Sequence, residues 1–382
     1  MKRIIFNDEH NMFRKTLIKF LEKEAVPYYE EWEEKKQIPR SFWLEMGEQG
    51  YLCPQVDEVY GGLNTDFRYA SVIAEELAKV GTALASGVNL HSDIVIPYIE
   101  SFGTEQQRKK WLPKAISGEV ISAIAMTEPG AGSDLANIKT TAIKNGDKYI
   151  LNGEKTFITN GYASDLVVVV CKTDPKAEPK HRGISLLLVE AGTPGFTKGK
   201  KLSKMGQHAN DTSELIFEDV SVPVENLIGE ENKGFYYLMD KLQQERLIVA
   251  IQSIATVERM LHLTLDFVKQ RKAFGKNIGE FQNTQYKLAE IKTELEIGRV
   301  FVDQLITRHI EGQNLVDEVS MAKWWTTDLE RKASIECMQL HGGYGYMEEY
   351  EIARRYRDAA VGPIYAGTNE IMKGIIARNM GL

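Results

Sequence analysis

Apolar positions along this chain fall into three successive rhythms. Up to about residue 118 they recur at helical spacing: Met12, Phe13, Leu17, Phe20 and Leu21, then Phe42, Trp43 and Met46, with Gly50, Gly61 and Gly62 as punctuation. Residues 71–80 and 87–102 predict further helices. The second is so apolar that only His91, Asp93 and Glu100 can carry charge. From 119 to 228 the pattern changes to strands. The apolar run 120–124 opens it, and Tyr149-Ile150-Leu151-Asn152-Gly153-Glu154-Lys155 sets Asn-Gly between two short apolar runs. That arrangement predicts a hairpin turning at Asn152-Gly153. The β-branched run from Leu166 to Cys171 predicts a strand buried on both faces. Residues 184–190 and 215–220 predict two more strands, and the polar stretch 172–182, with two prolines, an exposed loop.

From 229 to 382 the helical period returns. Ala250, Ile254, Val257, Leu261, Leu265 and Val268 draw one apolar stripe down a long helix, and Leu288, Ile291, Leu295, Val302 and Leu305 draw another. Residues 319–340 predict a third helix and 369–378 a short last one. Long antiparallel helices of this type pack as a bundle. The expected domains are therefore 1–118, 119–228 and 229–382.

Composition narrows the function. Of 382 residues, 43% are hydrophobic and 26% charged, which is ordinary for a globular chain. The net charge of −7 argues against nucleic acid as a partner, since phosphate recognition needs a basic footprint. Cys53, Cys171 and Cys337 stand far apart and read as reduced thiols, and neither they nor the scattered histidines show a metal-ligand spacing. The N-terminus lacks the look of a signal or transit peptide, and no run approaches about 20 consecutive apolar residues. The expectation is a cytoplasmic protein without a metal or a membrane span.

The most informative stretch is Ala125-Met126-Thr127-Glu128-Pro129-Gly130-Ala131-Gly132-Ser133-Asp134, which follows the first predicted strand. A rigid turn opened by glycines lets backbone N–H groups and short hydroxyls approach a ligand closely. With Lys155-Thr156-Phe157-Ile158-Thr159-Asn160-Gly161 downstream, the sequence resembles the acyl-CoA dehydrogenases, and the resemblance runs from Phe6 to Arg378. It implies an α+β fold with an N-terminal α-helical domain, a middle β-barrel-like domain and a C-terminal four-helix bundle. It also implies FAD as cofactor, an acyl-CoA substrate oxidised to the trans-2-enoyl-CoA, an electron-transfer flavoprotein as electron acceptor, and a homotetramer.

Site residues carry over by motif. Many family members place a catalytic glutamate in Tyr-Glu-Gly-Thr near the C-terminus; here the motif is Tyr365-Ala366-Gly367-Thr368-Asn369-Glu370, and alanine cannot take a proton. The long-chain and isovaleryl types carry the base on a helix just before an arginine, and Gln244-Glu245-Arg246 fits that pattern. Glu245 is therefore the candidate base, and desolvation would raise its pKa towards the working pH. Tyr365, Ala366 and Gly367 would border the thioester, with the Ala366 backbone N–H polarising its carbonyl. Met126, Thr127, Ser133, Phe157 and Thr159 match flavin contacts, with Phe157 at a position where most relatives have Trp, and Ser133 would also reach the substrate. Arg271, Phe274, Gln339 and Gly343 match FAD contacts made across subunits, and Thr368 and Glu370 match contacts to the adenosine end. Arg246 matches an arginine near the CoA nucleotide, and residues 84–102 should line the acyl cavity.

Glycines and acids around residue 230, the Gln244-Glu245-Arg246 run and Gly367-Thr368-Asn369-Glu370-Ile371-Met372-Lys373 make the long-chain type the nearest match. The rivals are a branched-chain, isovaleryl-type dehydrogenase, an acyl-CoA oxidase, a nitroalkane-type oxidase and an FAD-binding scaffold without turnover. The oxidase reading expects an additional C-terminal helical region, and the nitroalkane type expects an aspartate at the base.

Overall fold

A computed structural model describes residues 3–382. Seven helices form the first region: α1 (Asp8–Glu24), α2 (Tyr29–Lys35), α3 (Arg40–Glu48), α4 (Phe67–Val80), α5 (Thr82–Asn89), α6 (Ile96–Phe102) and α7 (Glu105–Ile116). Capping boxes begin α1 at Asn7 and α7 at Thr104, so each first turn has its free N–H groups satisfied by side chains. The stretch 87–102 is not one continuous α-helix. A π-helical segment, Leu90–Val95, separates α5 from α6. Its cause is in the sequence: Pro97, in the first turn of α6, has no N–H to return to the Asp93 carbonyl.

Seven strands follow: β1 (Ser122–Ala125), β2 (Thr141–Asn145), β3 (Lys148–Thr159), β4 (Leu166–Lys172), β5 (Ile184–Glu190), β6 (Phe196–Lys201) and β7 (Thr212–Pro223). They join in one curled sheet in the order β1-β4-β2-β3-β7-β6, with β5 on the other edge of β4. β4 is buried on both faces, as its sequence predicts. Val167, Val169 and Cys171 face the core of the sheet, while Leu166, Val168 and Val170 face the N-terminal helices.

The hairpin expected at Asn152-Gly153 is not there. β3 runs through it, and the chain turns six residues earlier at Gly146-Asp147, with Gly146 at φ +65°. Asn152 and Gly153 instead mark a β-bulge against β7. A Cβ on Gly153 would lie 2.4 Å from Thr140 Oγ1, so the glycine serves a close approach rather than a turn.

The C-terminal region consists of α8 (Gly234–Gln270), α9 (Gln282–Ile310), α10 (Val316–His341), α11 (Glu351–Asp358) and α12 (Asn369–Asn379). The three long helices share one apolar core, and α4 adds Phe67, Ala70 and Ala74 to it. By length and composition α8 is apolar enough to cross a membrane, yet most of that window is buried within the protein, as for a core helix.

Candidate active site

Glu245 lies on α8 and is only 5% exposed. Its Oε1 accepts a hydrogen bond of 2.7 Å from the Tyr98 hydroxyl of α6. Burial pushes the Glu245 carboxyl up to about 7, although the Tyr98 bond and the neighbouring Arg246 both favour the charged form. Among the described residues no donor bonds its second oxygen. A carboxylate that is buried, held by one oxygen and open at the other is suited to take a proton near neutral pH.

Arg246, the next residue, is buried at 6% exposure, and its Nε has no hydrogen-bond partner among the described residues. Its guanidinium comes within 3.9 Å of where a Cβ on Gly367 would lie. The C-terminal motif is therefore beside Arg246, the neighbour of Glu245 on α8. Ala366 and Gly367 are both left-handed, at φ +53° and +87°, and no backbone acceptor among the described residues takes the Ala366 N–H. The turn is clamped from behind by Lys323 of α10, whose ammonium donates to the Gly367 carbonyl (2.7 Å) and to Asn369 Oδ1 (3.0 Å). Burial, with the nearby charge of Arg246, lowers the Lys323 pKa to about 7. The Tyr365 phenol faces Ser86, Gln207 and Glu330, and burial raises its pKa.

The glycine-rich signature forms a loop at the rim of the sheet, tied to β3. Buried Glu128 accepts from Lys155 Nζ (2.9 Å) and from the N–H groups of Lys139 (2.5 Å) and Thr140 (3.0 Å). Lys155 also donates to the Met126 carbonyl at 3.0 Å, and Thr156 N–H to the Thr127 carbonyl at 2.9 Å. Burial works to raise the Glu128 pKa, but Lys155 and the backbone donors outweigh it and hold the carboxyl below its ordinary range. Met126 and Thr127 are half-buried beside β3, and Ser133 is exposed on the loop. At the second β3 bulge Phe157 takes φ +59° and turns its ring outward, 68% exposed, with Thr159 half-buried two residues on. Asn160 then donates to the Gly87 carbonyl at 2.9 Å, which sets this rim against α5, next to the Ser86 that Tyr365 faces. The structure thus draws Met126, Thr127, Phe157, Thr159, Tyr365, Ala366, Gly367, Glu245 and Arg246 towards one region.

Four predicted residues lie elsewhere. Arg271 caps the far end of α8, about 39 Å along the axis from Glu245 at 1.5 Å per residue. There Arg271, Gln339 and Gly343 line a surface pocket of about 480 Å³ together with Phe267, His341 and Tyr344. The Arg271 guanidinium rests over the Tyr344 ring at 5.3 Å, and a Cβ on Gly343 would meet nothing within 4 Å. Phe274, at the tip of the short hairpin between α8 and α9, is 95% exposed. Thr368 caps α12 and accepts from Ile371 N–H, and Glu370 is exposed in the first turn of that helix. Sequence reading missed Tyr98 and Lys323 as individuals. Tyr98 had a faint signal, as a polar tip within a helix predicted to line the cavity; Lys323 had none, because a lysine in a long helix reads as solvated.

These parts fit a flavin. An outward aromatic face at the rim, a loop of stapled backbone and hydroxyls, and a cation beside an open glycine are what an isoalloxazine ring and a pyrophosphate require. With a buried carboxylate whose neighbour Arg246 borders a turn holding a free backbone donor, they define a flavoprotein dehydrogenase acting beside a carbonyl group.

The particular family follows from comparison. The chain belongs to the acyl-CoA dehydrogenases: profiles of the family's N-terminal, middle and C-terminal domains match residues 7–119, 123–220 and 232–381. It is 50% identical over 378 residues to the mitochondrial long-chain specific acyl-CoA dehydrogenase of Rattus norvegicus, covering 99% of this chain and 88% of that one. Identity to the mitochondrial isovaleryl-CoA dehydrogenase of Pongo abelii is 37% over 374 residues, covering 97% and 88%. The crystal structure of an acyl-CoA dehydrogenase from Geobacillus kaustophilus superposes with a TM-score of 0.98 at 64% identity, with both chains covered in full.

Proposed function

We propose that this chain is an FAD-dependent dehydrogenase of long-chain fatty acyl-CoA, forming the trans-2-enoyl-CoA, with Glu245 as the base. The observation that carries the reading is Glu245 itself. It is buried, poised at about 7, and placed beside the turn whose Ala366 N–H is free. A thioester α-proton is too weakly acidic for a carboxylate unless charge on the carbonyl oxygen is stabilised as the proton leaves. The Ala366 N–H is the chain's donor for that oxygen, and Lys323 and Asn369 hold it in place. Glu245 takes the α-proton on its open oxygen. Bound FAD would supply the acceptor for the β-hydride. Met126, Thr127, Ser133, Phe157 and Thr159 would hold its ring, and Thr368 and Glu370 its adenosine end.

Arg271 at the end of α8, Phe274 just beyond it, and Gln339 and Gly343 in the same surface pocket as Arg271 are too far from Glu245 to serve the same copy of the cofactor. They are proposed to complete the site of a neighbouring subunit, which requires at least a dimer and accords with a homotetramer. Electrons would pass to an electron-transfer flavoprotein. The long-chain preference is supported by the 50% identity to the rat enzyme against 37% to the isovaleryl one.

The test is an anaerobic titration of the purified protein with palmitoyl-CoA, isovaleryl-CoA and butyryl-CoA, following flavin absorbance, beside Glu245→Gln. Palmitoyl-CoA should bleach the wild type alone. Preferential bleaching by isovaleryl-CoA would move the assignment to the branched-chain type. Bleaching of Glu245→Gln at the wild-type rate would remove Glu245 as base, and no bleaching by any thioester would leave a flavin-binding scaffold.

A further inference from the structure

The base is gripped from outside its own helix. Pro97 leaves the Asp93 carbonyl of the π-helical segment without its helical donor, and Gln244 Nε2 of α8 takes that place at 2.7 Å. The next residue along α8 is Glu245, and the residue after Pro97 is Tyr98, whose hydroxyl reaches Glu245 Oε1 at 2.7 Å. Two consecutive residues of α8 are thereby fixed by two consecutive features of the 90–98 segment.

We infer that Tyr98 is a positioning residue for proton abstraction: its hydroxyl fixes one carboxylate oxygen of Glu245, holds the group ionised and aims the other oxygen at the substrate. The inference rests on the reading of Glu245 as the base. The Tyr98 phenol can act only as a donor here, because burial and the adjacent carboxylate hold its pKa well above the ordinary value of 10. Its ring is itself immobilised, buried and packed against Phe102, which stacks on Tyr237 at 4.2 Å. In a site this dry, a phenol bonded to a carboxylate favours the charged form.

The other charged and titratable groups around the pair are few. Arg246 follows Glu245 on α8 and favours its ionised form. Asp240 faces Tyr98 from a turn earlier, and Lys241 lies over the Phe102 ring. From α9, His309 bonds Gln244, with burial lowering its pKa to about 4. From α10, Lys323 borders Arg246, and Asp93 of the π-helical segment bonds Asn89. Of these, Tyr98 is the one hydrogen-bonded to Glu245.

The experiment is the pH profile of α-hydrogen exchange, which reads proton removal without turnover. Holoenzyme and palmitoyl-CoA are incubated anaerobically in D2O, and deuterium in the recovered thioester is measured by mass spectrometry. The variants are Tyr98→Phe, Glu245→Gln and, as a packing control in the sheet core, Phe217→Leu. Exchange requires the carboxylate, so the wild-type rate rises with pH up to a plateau. Removing a donor to the charged form raises the pKa, so the acid limb of Tyr98→Phe should move to higher pH. The expected shift is about one unit, a tenfold change in ionisation or about 1.4 kcal/mol. Its KM for palmitoyl-CoA should hold, and Phe217→Leu should leave the limb in place.

A limb in Tyr98→Phe that stays put or moves to lower pH overturns the inference, whatever happens to the plateau, and Glu245→Gln inactive in the same series shows that the base assignment survives. Undiminished exchange in Glu245→Gln overturns both.

Discussion

If Arg271 serves the cofactor site of another subunit, two separately inactive variants should repair each other. Glu245→Gln removes the proposed base from a chain's own site. Arg271→Glu removes a guanidinium and puts a negative charge where the pyrophosphate would lie. Charge-assisted hydrogen bonds of that kind are worth roughly 1.5–3 kcal/mol, so their loss alone weakens cofactor binding by about 10- to 100-fold. Repulsion adds to this. The two residues sit on one helix about 39 Å apart, so each defect falls in a different site of a dimer. Co-expressed in equal amounts, the variants pair at random and about half of the dimers are mixed. Each mixed dimer holds one intact site and one doubly damaged site, which restores about a quarter of all sites. The assay is palmitoyl-CoA oxidation after gel filtration without added FAD, with each chain separately tagged so that mixed dimers can be isolated. Mixed dimers should then show about half the wild-type activity per dimer, a share that follows from two-fold symmetry. Activity no greater than that of the two parents would refute the reasoning and return Arg271 to its own chain's site.

Three further outcomes test the framework around the site. Lys155→Met leaves Glu128 as a buried charge without its cation and should cost about 3–5 kcal/mol in denaturant unfolding. Glu128 has a depressed folded pKa, so its contribution is present above the ordinary value of 4.5, and the gap between wild type and variant should close as pH falls through the folded value. For Lys323 the folded pKa is also depressed, from 10.5 to about 7, but the group is a base. The unfolded chain binds more protons across that window, so wild-type stability should rise between pH 7 and 10.5 by up to about 5 kcal/mol, and Lys323→Met should lack the rise. Flavin absorbance of Lys323→Met would report separately whether the Ala366 turn still admits a thioester. Gly153→Ala should lower the melting temperature by an amount corresponding to about 1–3 kcal/mol, since its Cβ would overlap Thr140 at φ +147°. An unchanged melting point would mean that the bulge relaxes freely.

Much of this architecture is legible in one dimension because the elements are long or buried on both sides. The stripe from Ala250 to Val268 and the run from Leu166 to Cys171 leave little room for another period. The short strands β2 and β6 are not legible: Lys-Gly-Lys-Lys in β6, at the edge of the sheet, is strand only because β7 pairs with it. Asn152-Gly153 misleads because the residues that favour a tight turn also suit a bulge, and the real turn has the same chemistry at Asn145-Gly146-Asp147.

The site divides similarly. Glu245 is found through the resemblance, which implies a base just before an arginine where the C-terminal motif carries none, as at Ala366. What surrounds Glu245 is hidden because it depends on tertiary approach. Tyr98 meets it across 147 positions of sequence, and Lys323 reaches Gly367 across 44. Arg246 shows the same limit, because nothing local to Glu-Arg in a helix says that the guanidinium is buried against the C-terminal turn.

α8 also acts as a ruler. It runs unbroken from the proposed base to the residue proposed to serve the neighbouring site, so the spacing of the two is fixed by residue count alone. One inserted residue between them would advance Arg271 by about 1.5 Å and swing it by about 100° around the helix. Both sites of a dimer would be misaligned at once, and no loop lies between them to absorb the change. Length variation among related chains should therefore be absent from 245–271 and collect in mostly exposed loop segments such as 174–179, which belong to no helix or strand.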